Sequence, residues 1–209
     1  MCLIKKIRSY RKRKRSEKYW RERLLEEVYY PKDEKGRPDL SYYTKPLGYY
    51  INMYEEFLAT YLKGDLEIAR MPYDQRIHGS WGLISKGSEA IPYALSLLTR
   101  KEPEAREDAC GIFLAFGEDE NVLDQVISKL QNEPDTLVRD TMILVLGEMK
   151  NIKAIPILAE FIFDPATDGD TRWTAIESLG KIVRKRFLKK EDPELAARVW
   201  LQKNGYTND

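Results

Sequence analysis

"VRDTMILVLG" occupies residues 138 to 147 and "TRWTAIESLG" occupies residues 171 to 180. Both place arginine second, carry apolar side chains at helical spacing and close on glycine. Val138, Met142, Val145 and Met149 fall on one face of a 3.6-residue helix, as do Ala175, Ile176, Leu179, Ile182 and Val183. Gly87 and Gly117 extend the series, so that four glycines stand 30, 30 and 33 residues apart. A near-constant period of that length is the signature of a repeat array. Each glycine is expected to close its helix in a left-handed conformation, which costs glycine little.

After each of the first three glycines comes a shorter apolar pattern: "SEAIPYALSLL" from Ser88, "DENVLDQVISKL" from Asp119 and "NIKAIPILAEFI" from Asn151. Ile91-Pro92 and Ile155-Pro156 hold equivalent places near a helix start, where the missing proline N–H is harmless, and Ser88 and Asp119 are expected N-caps. Pro103 and Pro134 open the following helices. A helix, turn, helix unit of this size buries its apolar face only by stacking on its neighbour. The fold class that follows is all-α: an α-solenoid of about four stacked helical hairpins, with helical caps and a basic N-terminal helix.

The "AIP" openings, the two quoted second helices and the glycine spacing together resemble HEAT-like repeats of the armadillo-type α-solenoid family, in particular the short bacterial type found in phycobilisome lyases. The resemblance covers roughly residues 74 to 187. Arg76 and Arg106 stand eleven residues before their glycine, whereas Arg139 and Arg172 stand eight before theirs, so the first two units depart from the pattern by about a helical turn.

The flanks complete a four-part division. Residues 1–30 form the basic N-terminal helix, 31–73 a linker with Tyr-rich capping helices, 74–190 the repeats and 191–209 a C-terminal capping helix. In the second part Leu47, Tyr50, Ile51, Tyr54, Phe57, Leu58 and Tyr61 keep helical spacing after Pro46. In the last, Asp192 and Pro193 make a start signal, Gly205 a stop, and Leu195, Val199 and Trp200 are expected to cover the open face of the last repeat.

Charge divides the chain more sharply than its net of +1 suggests. Residues 1 to 23 hold eleven Lys/Arg against two Glu; residues 87 to 180 hold eight basic and eighteen acidic side chains; residues 181 to 190 hold six basic and no acidic ones. A basic head, an acidic body and a basic collar result. No apolar run approaches the ~18 residues of a membrane span, the N-terminus lacks an apolar signal core, and the two cysteines form no framework, so a cytoplasmic protein is expected.

Chemistry-bearing motifs are sparse. His78 is the only histidine, and the sequence has no HExxH, CxxC, phosphate loop, GxGxxG or GxSxG. No metal, cofactor or small-molecule substrate is implied, and no catalytic residue is assigned; a Cys110 and His78 pair lacks an orienting group. The candidate protein-binding residues are Asp140, Arg139, Arg172, Trp173, Glu177, Glu118, Glu120 and Asp168. Arg139 and Arg172 hold equivalent positions, either as a ladder for an acidic ligand or, as the resemblance implies, bonded to an acid or carbonyl of the repeats, with Asp135 and Asp170 at hand. Trp173, in the place held by Cys110 and Asp140, is either core or a binding hot spot.

The function expected first is a non-enzymatic protein-binding scaffold, adaptor or inhibitor, of immunity or antitoxin type, whose acidic solenoid takes a basic partner. The alternative is nucleic-acid binding through Lys5, Arg8, Arg11, Lys12, Arg13, Lys14 and Arg15 of the head with Arg184, Lys185 and Arg186 of the collar. The head also suits a membrane surface, or lies against the acidic repeats. Weaker alternatives carried by the family resemblance are a lyase component and a DNA-glycosylase-like enzyme, the latter opposed by the acidic charge of the repeats.

Overall fold

The structure, a computed structural model, describes residues 34–35, 39–61, 71–115 and 119–206. The basic head and Glu118 lie outside the described residues. All regular structure among the described residues is helical. The chain clusters into two compact units divided between Lys86 and Gly87.

In the first unit, α1 (Leu47–Tyr61) packs on α2 (Met71–Ser85). The helical spacing of the aromatic residues has its expected consequence: Tyr50, Tyr54, Phe57 and Leu58 are buried. Tyr43, just before α1, is also buried, edge-on to Tyr50 at 5.9 Å, and its hydroxyl lies 3.2 Å from His78 Nδ1. The one histidine thus holds an aromatic corner.

The second unit contains three helical hairpins and a closing helix. They are α3 (Ile91–Leu97) with α4 (Pro103–Phe113), α5 (Glu120–Leu130) with α6 (Thr136–Met149), α7 (Ile155–Phe163) with α8 (Gly169–Ile182), and α9 (Pro193–Lys203). The second helices pack in a row, α4 on α6 and α6 on α8, while α9 covers α7 and α8. Leu97, Phe113, Leu130, Met142, Leu146 and Leu158 form one fully buried core along the stack. Aspartates set the helix starts: the Asp119, Asp135, Asp168 and Asp192 carboxylates accept N–H groups of the first turns of α5, α6, α8 and α9.

Several expectations need correction. Gly87 is left-handed, at φ 60°, but Gly147 and Gly180 lie inside α6 and α8; the left-handed residues there are Lys150 and Arg184, at φ 52° and 54°. The glycines serve proximity instead. A Cβ on Gly147 would stand 2.8 Å from Ser178 Cα, and one on Gly180 would stand 2.6 Å from the Lys185 carbonyl oxygen. Ser88 caps no α-helix: it sits in a 3-10 turn, Gly87–Ala90, and α3 starts after Ala90 without a side-chain cap.

The phase of α9 also differs. Pro193, Ala197 and Leu201 face inward, whereas Leu195 and Val199 are 57% and 38% exposed. Ala197 permits close approach, and flanking polar contacts hold the rotation: Glu194 reaches Arg172 at 3.7 Å and the Arg198 guanidinium sits 5.5 Å from the Phe163 ring centre.

Candidate protein-binding surface

Counted from their helix starts, Arg106, Arg139 and Arg172 are each the fourth residue of α4, α6 and α8. The apparent shift of the earlier unit came from measuring back from glycine. Each arginine reaches an acid supplied further along the chain: Arg106 to Glu133 at 2.7 Å, Arg139 to Asp168 at 3.7 Å and Arg172 to Glu194 at 3.7 Å. Two of them also tie down the loop before their own helix. Arg106 Nη1 donates to the carbonyls of Arg100 and Lys101, and Arg172 Nη2 donates to those of Asp164 and Thr167.

The first link is the strongest. Arg106 and Glu133 are both buried, and Nε and Nη2 donate to the two carboxylate oxygens at 2.8 and 2.7 Å, a bidentate pair. Hydrogen bonding to Glu133 raises the Arg106 pKa further above its already high value. Glu133 also accepts the Asp135 N–H, joining the pair to the start of α6. In the other two links the contacts are longer, and the buried Nε atoms of Arg139 and Arg172 have no hydrogen-bond partner.

The fifth residues of the same helices are Glu107, Asp140 and Trp173, all half-buried. Trp173 therefore corresponds to Glu107 in the first hairpin, whereas Cys110 lies in the core, where burial pushes its thiol pKa far up and suppresses the thiolate. Asp140 and Asp168 meet at Thr171: its hydroxyl oxygen is 2.7 Å from Asp140 Oδ1 and 2.8 Å from Asp168 Oδ2. One hydroxyl proton cannot serve both carboxylates. Burial raises the Asp140 pKa; burial also opposes ionisation of Asp168, but the N–H and hydroxyl of Thr171, the Asp170 N–H and Arg139 together hold its pKa below the usual carboxylate value.

Further along the row, Lys181 bonds Glu148 at 2.7 Å and lies 3.3 Å from Glu177, linking α6 to α8. Burial works against its charge, but the two carboxylates outweigh it and raise its pKa. Glu120 pairs with Lys153 at 3.7 Å, on a different part of the unit from the α6 and α8 residues. The geometry thus brings Asp140, Arg139 and Asp168 into one cluster, extends it through Arg172 to α9, and places Glu177 with Glu148. Leu137, on α6, is 48% exposed beside this acidic row.

Sequence reasoning missed the Arg106–Glu133 pair. Its signal is the fixed interval from helix start to arginine: Asp135 and Asp168 are N-caps four residues before Arg139 and Arg172, and Glu102 precedes Arg106 by the same interval.

Past α8 the six-cation segment takes shape. The left-handed turn at Arg184 folds the chain back, so that the Lys185 N–H donates to the Gly180 carbonyl at 2.9 Å, and Phe187 is buried edge-on to Trp200 at 6.3 Å. Among the described residues, no group of three or more His, Cys, Asp or Glu is placed to hold a metal ion, and no helix is long and apolar enough to cross a membrane.

Hairpins in register, a continuous core and a recurrent arginine define a helical-repeat scaffold. Residues 123–200, from within α5 to within α9, match the family model for HEAT repeats, and over that stretch the chain is similar to HEAT-repeat proteins. No curated protein and no solved structure matches the chain.

Proposed function

We propose that this chain is a non-catalytic adaptor or inhibitor, of immunity or antitoxin type, that holds a basic protein surface against the row of second helices. The observation that carries the proposal is the composition of the row's outward positions. Glu107 on α4, Asp140 and Glu148 on α6, and Glu177 on α8 carry carboxylates, and the same helices carry the exposed Leu137 and the half-buried Trp173. The Thr171 and Lys181 bonds hold Asp140, Glu148 and Glu177, so less ordering entropy is lost when a partner docks on them. Over residues 87 to 180 the eighteen acidic against eight basic residues steer a cationic partner toward the unit. Arg139 and Arg172 serve within the repeats, as links to Asp168 and Glu194.

The test is nuclease-treated co-purification from native cells, using full-length protein, Trp173→Ala and the Glu148→Lys/Glu177→Lys double variant. A basic protein should be retained by the parent, lost at least about tenfold in both variants, and released progressively as salt rises. Retention indifferent to salt and to both variants would sink the proposal.

A further inference from the structure

The end of the repeat unit carries a second charged feature of opposite sign. Arg184, Lys185, Arg186, Lys189 and Lys190 are exposed, and none has an ion pair or side-chain hydrogen bond among the described residues. Lys181, the sixth cation of the segment, is taken by Glu148 and Glu177. The five ring two contiguous grooves of about 440 and 310 Å³ that share Lys185, Arg186, Phe187 and Lys189; on its α8 side the larger is also lined by Glu177, whose charge Lys181 offsets at 3.3 Å. Elsewhere in the unit the described basic side chains of α6 and α8, Arg139 and Arg172, have acidic neighbours. Five unpaired cations within seven residues repel one another, a cost that an external polyanion would remove.

The segment is held in shape. The Lys185 N–H bonds to the Gly180 carbonyl, the Lys185 carbonyl oxygen occupies the space a side chain at position 180 would fill, and Phe187 anchors the 3-10 turn Phe187–Lys189 beneath α9. The backbone that presents the cations is therefore ordered before any ligand arrives.

We infer that this groove binds the phosphate backbone of a nucleic acid without reading its bases. The absence of an apolar anchor selects this occupant. Of the apolar residues lining the larger groove, Phe187 and Ile176 are 5% and 2% exposed and Leu188 is half-buried, and no large hydrophobic side chain of residues 181 to 190 is fully exposed. A membrane surface or an acidic protein would call on exposed apolar or aromatic groups for insertion or for a hot spot. A phosphate backbone requires only clustered Lys and Arg, through counterion release. The same features leave no ring exposed for base stacking, so binding is independent of sequence. The acidic body confines the strand to this end of the unit. The larger groove reaches Glu177, the α8 end of the proposed protein-binding row, but the inference rests on the cations after α8 and does not require that row to bind a protein.

The experiment is fluorescence anisotropy of a labelled mixed-sequence 20-base-pair duplex with full-length protein over a series of salt concentrations. Two variants are compared: Lys185→Gln/Arg186→Gln/Lys189→Gln/Lys190→Gln, and the charge-retaining Lys185→Arg/Arg186→Lys/Lys189→Arg/Lys190→Arg. The head is intact in every protein, so its contribution is common to all. The glutamine variant should bind at least about tenfold more weakly and flatten the log–log salt slope by about 3. The charge-retaining variant should stay within about twofold of the parent. A glutamine variant that binds like the parent overturns the inference, as does equal loss in both variants, which would report a disturbed loop. Loop-dependent binding to phosphatidylserine vesicles with no loop-dependent binding to duplex also overturns it, in favour of a membrane surface.

Discussion

Arg106 and Glu133 are stable only as a pair, because each compensates the burial of the other's charge. Glu133→Leu leaves a guanidinium buried with two carbonyl contacts and without its bidentate partner, only the more distant Asp135 and Glu102 carboxylates remaining, and is expected to lower the unfolding free energy by about 3–5 kcal/mol. The double variant Arg106→Leu/Glu133→Leu should recover much of that loss; urea denaturation of the four proteins gives the coupling directly. The Asp140, Thr171 and Asp168 chain has a pH signature. Asp140, whose pKa is raised in the folded protein, destabilises the fold when ionised, and that penalty disappears as pH falls through its folded pKa. Asp168, whose pKa is lowered, contributes stability that is full above the ordinary carboxylate value and is lost as pH falls through its folded pKa. Asp140→Asn can donate to the Thr171 hydroxyl while that hydroxyl donates to Asp168. The variant should therefore melt higher than the parent at pH 7, and thermal midpoints should converge as pH drops toward about 3.9. An advantage that persists unchanged to low pH would assign it to packing instead. At this scale the sequence was legible where a residue's role is local, as in the aspartate caps. It was opaque where the role depends on a partner about thirty positions away: nothing in the residues around Arg106 singles out Glu133.

Helices announced themselves through periodicity, but their ends and rotations did not. Aspartate starts and the proline starts at Pro103 and Pro193 were readable, since each acts on its own first turn, whereas Pro134 stands before the Asp135 cap and does not open α6. The glycines misled, because a glycine near the end of an apolar run suits a left-handed cap and a close helix crossing equally well, and only tertiary packing distinguishes the two. The distinction is measurable. Gly147→Ala forces a methyl group toward the backbone of Ser178 and should cost about 1–3 kcal/mol in a denaturant titration. Lys150→Gly, at the true left-handed end of α6, should raise stability by up to about 1 kcal/mol, since relief of ~1–2 kcal/mol of left-handed strain is partly offset by greater freedom of the unfolded chain. If Gly147→Ala were neutral and Lys150→Gly destabilising, the capping role would belong to the glycine after all. The rotation of α9 was hidden for a related reason. Leu195 and Val199 face outward while Ala197 and Leu201 face inward, a phase accompanied by the contacts of Glu194 with Arg172 and of Arg198 with Phe163.

For the molecule as a whole, the all-α repeat architecture was legible because stacking repeats is what short amphipathic hairpins of constant length must do. The separation of a unit ending at Lys86 from one beginning at Gly87 was not, because the glycine spacing runs through it. The proposed binding surface was legible only as a charge imbalance. Sequence counts the carboxylates, whereas the structure shows Glu148 and Glu177 sharing one lysine and Glu120 paired with another. Residues 87 to 209 contain their own core and their own closing helix, so that fragment alone should give a helical circular dichroism spectrum and a sigmoidal urea transition. A featureless, non-cooperative transition would contradict that.

The clamped turn after α8 has a consequence for degradation. Trypsin cuts after lysine and arginine, and Arg184, Lys185, Arg186, Lys189 and Lys190 offer five scissile bonds in exposed chain. A protease needs an extended strand in its cleft, whereas this backbone is bent by a left-handed residue, bonded to Gly180 and pinned by Phe187. Cleavage there waits on local opening of the turn, so the rate at which the C-terminal peptide is released is a clock for that motion.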